Sequence, residues 1–573
     1  MIKPVIHLLI IGVHFLQACY AFGVWDEFDL VRPRVGAWGS DWQLPYVKIN
    51  AINGSGPVVP ESALFGSSVS NIGDLDNNGF DDLVVGAPGE HGVVNGTVMP
   101  QAGAIYILFM HSLGINHLEV LSHTRISARV NNGPELLENA FFGFSVANAE
   151  DIDGDGIADI MVGAPGARLG SSYLLFMHRN GTVRESVVIG AGFYNITYVL
   201  ENSRLGTGNP ELGYFSRFGS MVAPLGDFDE DGIPDLAIGA ADASGGASRV
   251  YLCWMERTGD IREFVELSSN LNGAPTYDVF TNFGASLVVL GDIDGDRIPD
   301  IAVGAYLGNS GEDALFGSGV VYTLRMNRNG TIKAHNIIHA LSQADDGFPL
   351  PLVEYDNCGT SLATIGDLNL DTMRGHRPWE IHGPTRGKTF DWPIPDLVVG
   401  CPQGNAGVLT GRAFVWFMDK IGGNQGYITI PNERDKVDQI GPNLKAKDQY
   451  GTSMAAYQDL DRNAIKEIVI GAPGDHDNGY NTGALYIVFL RRRRFHPYMF
   501  DWRAYYCGIF IPIGVYCVFC WAGIKFFFWY YRRKPDEIEL MVKASDIEIT
   551  KTRKTRQNKV KPMDGDHAGE YEH

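Results

Sequence analysis

The chain has 573 residues, too many for one ordinary hydrophobic core, so several domains or a large repeat array is expected. It holds 69 glycines, as turn-rich β architecture demands, and its formal net charge of -21 argues against nucleic acid as a partner. Much of the acidity sits in repeated loops, where six divalent ions would add 12 positive charges and bring the net to -9.

Residues 1–21 carry Lys3, an apolar run over Val5–Leu16 and a small-residue exit at Cys19-Tyr20-Ala21. The pattern predicts a secretory signal peptide cut near Ala21; a membrane anchor fits less well, because the run is short and no stop-transfer pattern follows. Residues 22–62 are rich in Trp, Pro and Gly and hold no acidic loop. Their best strand is Leu44–Ile49.

Repeats fill residues 63–490. Each opens on an aromatic-Gly or related pair: Phe65-Gly66, Phe142-Gly143, Phe218-Gly219, Phe283-Gly284, Cys358-Gly359 and Tyr450-Gly451. A short apolar strand leads into an acidic loop, and a second strand ends in a Gly-Ala-Pro-like corner such as Gly86-Ala87-Pro88 or Gly163-Ala164-Pro165. Further strands follow, as in Ala104–Met110 or Ala484–Leu490. The loops begin at 74, 151, 227, 292, 367 and 459. Four strands per repeat predict an all-β fold, a β-propeller, rather than a helical solenoid. Repeat six ends after its third strand, so the outer strand must come from elsewhere. Phe28–Ile52 is the only unassigned extended segment and is expected to pair with the last blade, covering its edge. Six blades are favoured, with seven left open.

The loops read D-x-D-x-D-G-x-x-D or close to it. Carboxylates at positions 1, 3, 5 and 9, a carbonyl at position 7 and a tight turn at position 6 suit calcium. The expected ligands are Asp74, Asp76, Asn78, Phe80 and Asp82 in loop one, then Asp151, Asp153, Asp155, Ile157 and Asp159 in loop two. Loop three offers Asp227, Asp229, Asp231, Ile233 and Asp235. Loop four offers Asp292, Asp294, Asp296, Ile298 and Asp300, with Arg297 where the other strong loops have Gly. In loop five, Asp367, Asn369 and Asp371 are separated from Asp396 by an insertion that must loop out if Asp396 is to complete the set. Loop six offers Asp459, Asp461, Asn463, Ile465 and Glu467. Three to six calcium ions are expected, because all-oxygen ligands argue against zinc or copper.

The combination of FG, DxDxDG and GAP resembles the FG-GAP repeats of the integrin alpha-subunit N-terminal propeller, over about residues 60–490. The resemblance implies calcium loops joining the first two strands of each blade on one face, and binding of other molecules by a rigid propeller face. Integrin alpha propellers have seven repeats followed by long β-sandwich legs, whereas here about 15 residues lead from the last strand towards residue 505.

The insertion at 372–392 is basic, aromatic and broken by Pro and Gly; it reads as a recognition loop or as a tolerated surface insertion. Cys358 and Cys401 occupy the FG and GAP positions of one repeat, at the same end of adjacent strands, so they form a disulfide or two small buried apolar residues. Asn53, Asn95, Asn180, Asn195 and Asn329 head N-x-S/T sequons in loops, consistent with glycosylation. Residues 491–504 begin with four arginines, a solvated collar or a convertase site. Residues 505–531 predict a transmembrane helix with an aromatic belt, stopped by Arg532-Arg533-Lys534. Residues 532–573 lack an apolar core and predict a disordered cytoplasmic tail that touches anionic lipid or an adaptor.

These features predict a type I single-pass protein of the cell membrane with an extracellular propeller. An adhesion or receptor role with a protein or glycan ligand leads. The alternatives are a membrane-anchored hydrolase using the propeller as a scaffold, against which no G-x-S-x-G or H-E-x-x-H motif is present, and a secretory-pathway trafficking factor.

Overall fold

In a computed structural model the described residues are 46–490, apart from 115–116, 167–169, 191–202, 206–216, 242–247, 279, 309–314, 341–349, 351, 369–371, 376–389, 405–408, 420–421, 431–441 and 463–464. The expected signal peptide, basic stalk, transmembrane helix and tail lie outside them, as do Asn195, Asn369, Asp371 and Asn463. Among the described residues no helix is long and apolar enough to cross a membrane.

Among the described residues one strand, β1 (Tyr46–Ile49), precedes the repeats. Blade 1 contains β2 (Ser68–Gly73) and β3 (Asp82–Ala87), a small hairpin of β4 (Gly92–Val94) and β5 (Thr97–Met99), then β6 (Ala104–Gly114) and β7 (His117–Ser127). Blade 2 contains β8 (Ser145–Glu150), β9 (Asp159–Ala164), β10 (Ser171–Met177) and β11 (Val183–Ile189), with β12 (Ser203–Leu205) parallel on its edge. Blade 3 contains β13 (Phe218–Gly226), β14 (Asp235–Ala240), β15 (Arg249–Met255) and β16 (Ile261–Leu267). Blade 4 contains β17 (Phe283–Gly291), β18 (Asp300–Ala305), β19 (Val320–Met326) and β20 (Ile332–His339). Blade 5 contains β21 (Ser361–Thr364), an inserted hairpin of β22 (Thr372–Gly375) and β23 (Phe390–Pro393), then β24 (Leu397–Cys401), β25 (Arg412–Met418) and β26 (Asn424–Ile430). Blade 6 contains β27 (Ser453–Ala456), β28 (Ile468–Ala472) and β29 (Ala484–Val488).

The main strands of each blade run antiparallel and are ordered from the inside out, with parallel β12 added to the edge of blade 2. The inner strands β2, β8, β13, β17, β21 and β27 meet one another in sequence, and β27 meets β2 again. The ring therefore has six blades. Second strands such as β3, β9 and β18 are buried at every residue, because a neighbouring blade covers each face. This explains their unbroken apolar runs. Outer strands such as β20 alternate, with one face wet. The described residues form six hydrophobic clusters, one at each interface between adjacent blades, the last joining Ile49 and Ile487 to Phe65 and Tyr106.

The aromatic-Gly and Gly-Ala-Pro signatures build the seam between blades. The Phe142 N–H donates to the Ala102 carbonyl of blade 1, and Gly143 N–H donates back to the corner carbonyl of Gly163 in its own blade. A serine two residues after the Gly then latches the next blade. Ser68 donates its hydroxyl to Gly143, Ser145 to Gly219, Ser286 to Gly359, Ser361 to Gly451 and Ser453 to Gly66, at 2.7–2.9 Å. The last bond spans 387 residues of sequence and closes the circle. These hydroxyls line a central channel of about 1150 Å³, but they are committed to the seam.

Blade 6 takes its outer strand from the N-terminal side. β1 runs antiparallel to β29, with Tyr46 opposite Val488 and Ile49 opposite Leu485. Lys48 reaches Asp475 at 2.5 Å and Asp477 at 2.6 Å, and lies 5.3 Å from the centre of the Tyr486 ring. Blade 1 repeats the arrangement within one continuous sheet: Arg125 on β7 pairs with Glu90 after the corner, and Tyr106 donates to the same carboxylate. The borrowed strand thus supplies the cation that a native outer strand supplies.

Candidate metal centres

The acidic loops sit at the rim opposite the aromatic-Gly corners, between the first two strands of each blade. Their first aspartate shapes the turn. Asp151 accepts the N–H groups of Gly154, Asp155 and Gly156 at 2.8–2.9 Å, and Asp292 accepts those of Gly295, Asp296 and Arg297 at 2.6–2.9 Å. In loop two, positions 3 and 5 cap the amide two residues on, Asp153 that of Asp155 and Asp155 that of Ile157. Position 6 is left-handed, with φ of 82° at Gly156 and 73° at Arg297, so loop four carries a strained arginine where glycine would be relaxed. Position 4 is left-handed as well, at Asn77, Glu230 and Arg462 among others. That second requirement was not legible in the sequence, since Glu and Arg do not advertise such a backbone.

Position 9 is buried: Asp82, Asp159, Asp235, Asp300, Asp396 and Glu467 are each at most 1% exposed. One carboxylate oxygen accepts the N–H of loop position 2, and the other accepts an N–H on the third strand or just beyond it. For Asp82 these donors are Leu75 and Met110, both at 2.9 Å. For Asp300 they are Ile293 and Met326, at 3.0 and 2.8 Å. The second donor is methionine in five blades (Met110, Met177, Met255, Met326, Met418) and Leu490 in the sixth. The ninth residue thus ties the loop to a third strand. The recurring methionine was a sequence signal of this tie.

Loop five keeps the same tie despite its insertion. β22 and β23 pair from Thr372 opposite Pro393, so the extra chain leaves and returns at one point. Asp396 then accepts Leu368 and Met418 N–H at 2.7 and 3.2 Å. Five acidic clusters among the described residues bring ligand-type oxygens within 4.8 Å of one another: Asp74, Asp76 and Asp82; Asp151, Asp153 and Asp159; Asp227, Asp229 and Asp235; Asp292, Asp294 and Asp296; and Asp459, Asp461 and Glu467. Three convergent carboxylates with oxygen donors alone are compatible with a divalent cation.

Burial pushes the ninth carboxyl up to about 7 in Asp82, Asp235, Asp300 and Glu467, and to about 8 in Asp159, with neighbouring aspartates adding to the rise. Such a group holds its proton better folded than unfolded. Between its ordinary value near 4 and its raised value, stability therefore falls as pH rises. In a calcium chelator the melting temperature is expected to drop from pH 5 to pH 8. Excess calcium, which needs the ionised carboxylates, is expected to remove that drop. A melting temperature that climbs with pH in chelator would contradict this burial effect.

Cys358 and Cys401 form a disulfide, with sulfurs 1.99 Å apart, and Cys253 is buried on β15. Asn53, Asn95, Asn180 and Asn329 lie exposed on turns, the last two at the bends between third and fourth strands.

The FG-GAP repeat model matches residues 65–108, 142–175 and 283–324, and an FG-GAP-like repeat model matches 227–303. Integrin alpha-4 of Xenopus laevis is 29% identical over 233 residues, 41% of this chain and 19% of the relative. This is an integrin-alpha-like FG-GAP propeller. The likeness to integrin alpha-IIb of Homo sapiens is 28% over 313 residues, 52% of this chain and 25% of that one. With integrin alpha-PS3 of Drosophila melanogaster it is 34% over 169 residues, 29% and 13% of the two chains. The chain thus spans about a fifth of the length of the curated relatives it matches. The repeat matches fall in blades 1 to 4, and blades 5 and 6 of the FG-GAP propeller repeat the same seam with Cys358-Gly359 and Tyr450-Gly451.

Proposed function

We propose that this FG-GAP propeller is the extracellular part of a calcium-binding, single-pass cell-surface protein with an adhesion or receptor role. The observation that carries the reading is the repetition of one oxygen cluster on one rim of a closed, integrin-alpha-like ring. Calcium is the ion that such donors suit, and extracellular modules commonly hold it at about 0.1–1 mM. Its role is structural: it neutralises carboxylates that would otherwise repel and fastens the first two strands of a blade. The ligands are those of the six loops, with Asp396 returned to its place in the fifth. Residues 1–21 and 505–531 support secretion and membrane anchoring, with the sequons outside the cell.

The binding face we assign to the rim opposite the loops. Phe144, Phe316, Tyr355 and Tyr480 lie there at 47–66% exposure, and Phe316 and Tyr355 touch edge to face. Exposed aromatic side chains of this kind favour partner contacts. The role is one of binding rather than of catalysis, and the occupant is an extracellular protein or glycan. Proximity labelling from the full-length protein on intact cells tests it. Labelled surface or matrix proteins that vanish on chelation are expected. Label confined to secretory-pathway residents, with no surface biotinylation of the chain, would favour a trafficking role instead.

A further inference from the structure

Blades 2, 3 and 4 bring a basic side chain to their acidic loops from the fourth strand, β11, β16 and β20. In each, the pairing of third and fourth strands slips by one residue beside the methionine that bonds the ninth carboxylate, at Phe176/Met177, Trp254/Met255 and Arg325/Met326. The residues left unpaired by the slip are Arg184, Arg262 and Lys333. A bulge of this kind re-aims a side chain. Here it aims the cation at the loop. Arg184 bridges Asp153 and Asp155, Arg262 bridges Asp229 and Asp231, and Lys333 reaches Asp294 at 2.6 Å and Asp296. All six partners are loop positions 3 and 5. Blade 1 has the same slip, at Phe109/Met110, but the bulged residue is Leu121, 63% exposed.

We propose that Arg184, Arg262 and Lys333 are tethered counter-cations that compete with calcium for positions 3 and 5. Loops two to four then stay closed at low calcium, and they bind the ion less tightly than their four carboxylates imply. The inference rests on the calcium reading of the loops. It follows from charge and geometry: a divalent ion at the cluster draws on the oxygens that each tether already holds, and a positive group within a few ångströms opposes a second cation. The tethers are 29–40% exposed, so solvent moderates both effects without abolishing them.

Thermal unfolding of the full-length protein in detergent, across a calcium titration, provides the test. The triple variant Arg184→Gln, Arg262→Gln, Lys333→Gln is compared with wild type. Its melting temperature in chelator is expected to fall below wild type, and its half-saturating calcium concentration to drop about tenfold. Conversely, Leu121→Arg, on an exposed site, is expected to weaken one calcium site in a calorimetric titration. A half-saturating concentration that stays put or rises in the triple variant, with Leu121→Arg unchanged, overturns the proposal while leaving the calcium reading intact. A wild-type protein whose melting ignores calcium overturns both.

Discussion

Gly163→Ala is expected to open the seam between blades 2 and 3 and to lower unfolding stability by about 3 kcal/mol or more. An added Cβ would sit far inside 3.0 Å of both the Gly219 carbonyl oxygen and the Ser145 hydroxyl. Gly219 has little room to withdraw, because its carbonyl accepts the Ser145 hydroxyl and its left-handed φ of 85° fixes the turn. The substitution therefore forces overpacking and breaks a buried hydrogen bond together. Denaturant unfolding of the full-length protein measures the loss. An unchanged transition midpoint would mean that the corner glycine does not set the blade spacing.

The double variant Lys48→Ala, Ile49→Ala is expected to cost about 4 kcal/mol or more, and to expose the edge of β29. Ile49 is fully buried in the cluster between blades 6 and 1. Asp475, only 2% exposed, would lose its cation and remain beside Asp448 and Asp477. An uncovered edge strand pairs with other chains, so concentration-dependent aggregation should accompany the loss. A variant that stays monomeric and melts as wild type would show that the ring closes without β1.

Much of this fold was legible because its punctuation repeats. Phe-Gly, the acidic loop and Gly-Ala-Pro recur at fixed order, and the third strand's absence of a partner in repeat six pointed to the segment that holds β1. The serine latch stayed hidden, since a serine two residues after Phe-Gly looks like any polar strand residue until the next blade's carbonyl lies beside it. The tethered cations were hidden for a different reason. Arg184 follows Asp155 by 29 residues, and only the slipped register of β10 and β11 aims it at the loop. The return of Asp396 likewise depends on pairing between β22 and β23, which no spacing rule encodes.

The fastening of blades by calcium is tested most directly by counting ions. Native mass spectrometry of the full-length protein, equilibrated at about 1 mM calcium and then in chelator, should show three to six bound ions that chelation removes. The melting temperature should fall with them. A protein that carries no calcium under these conditions, and melts identically in both, would contradict the claim that the six acidic loops are its fasteners.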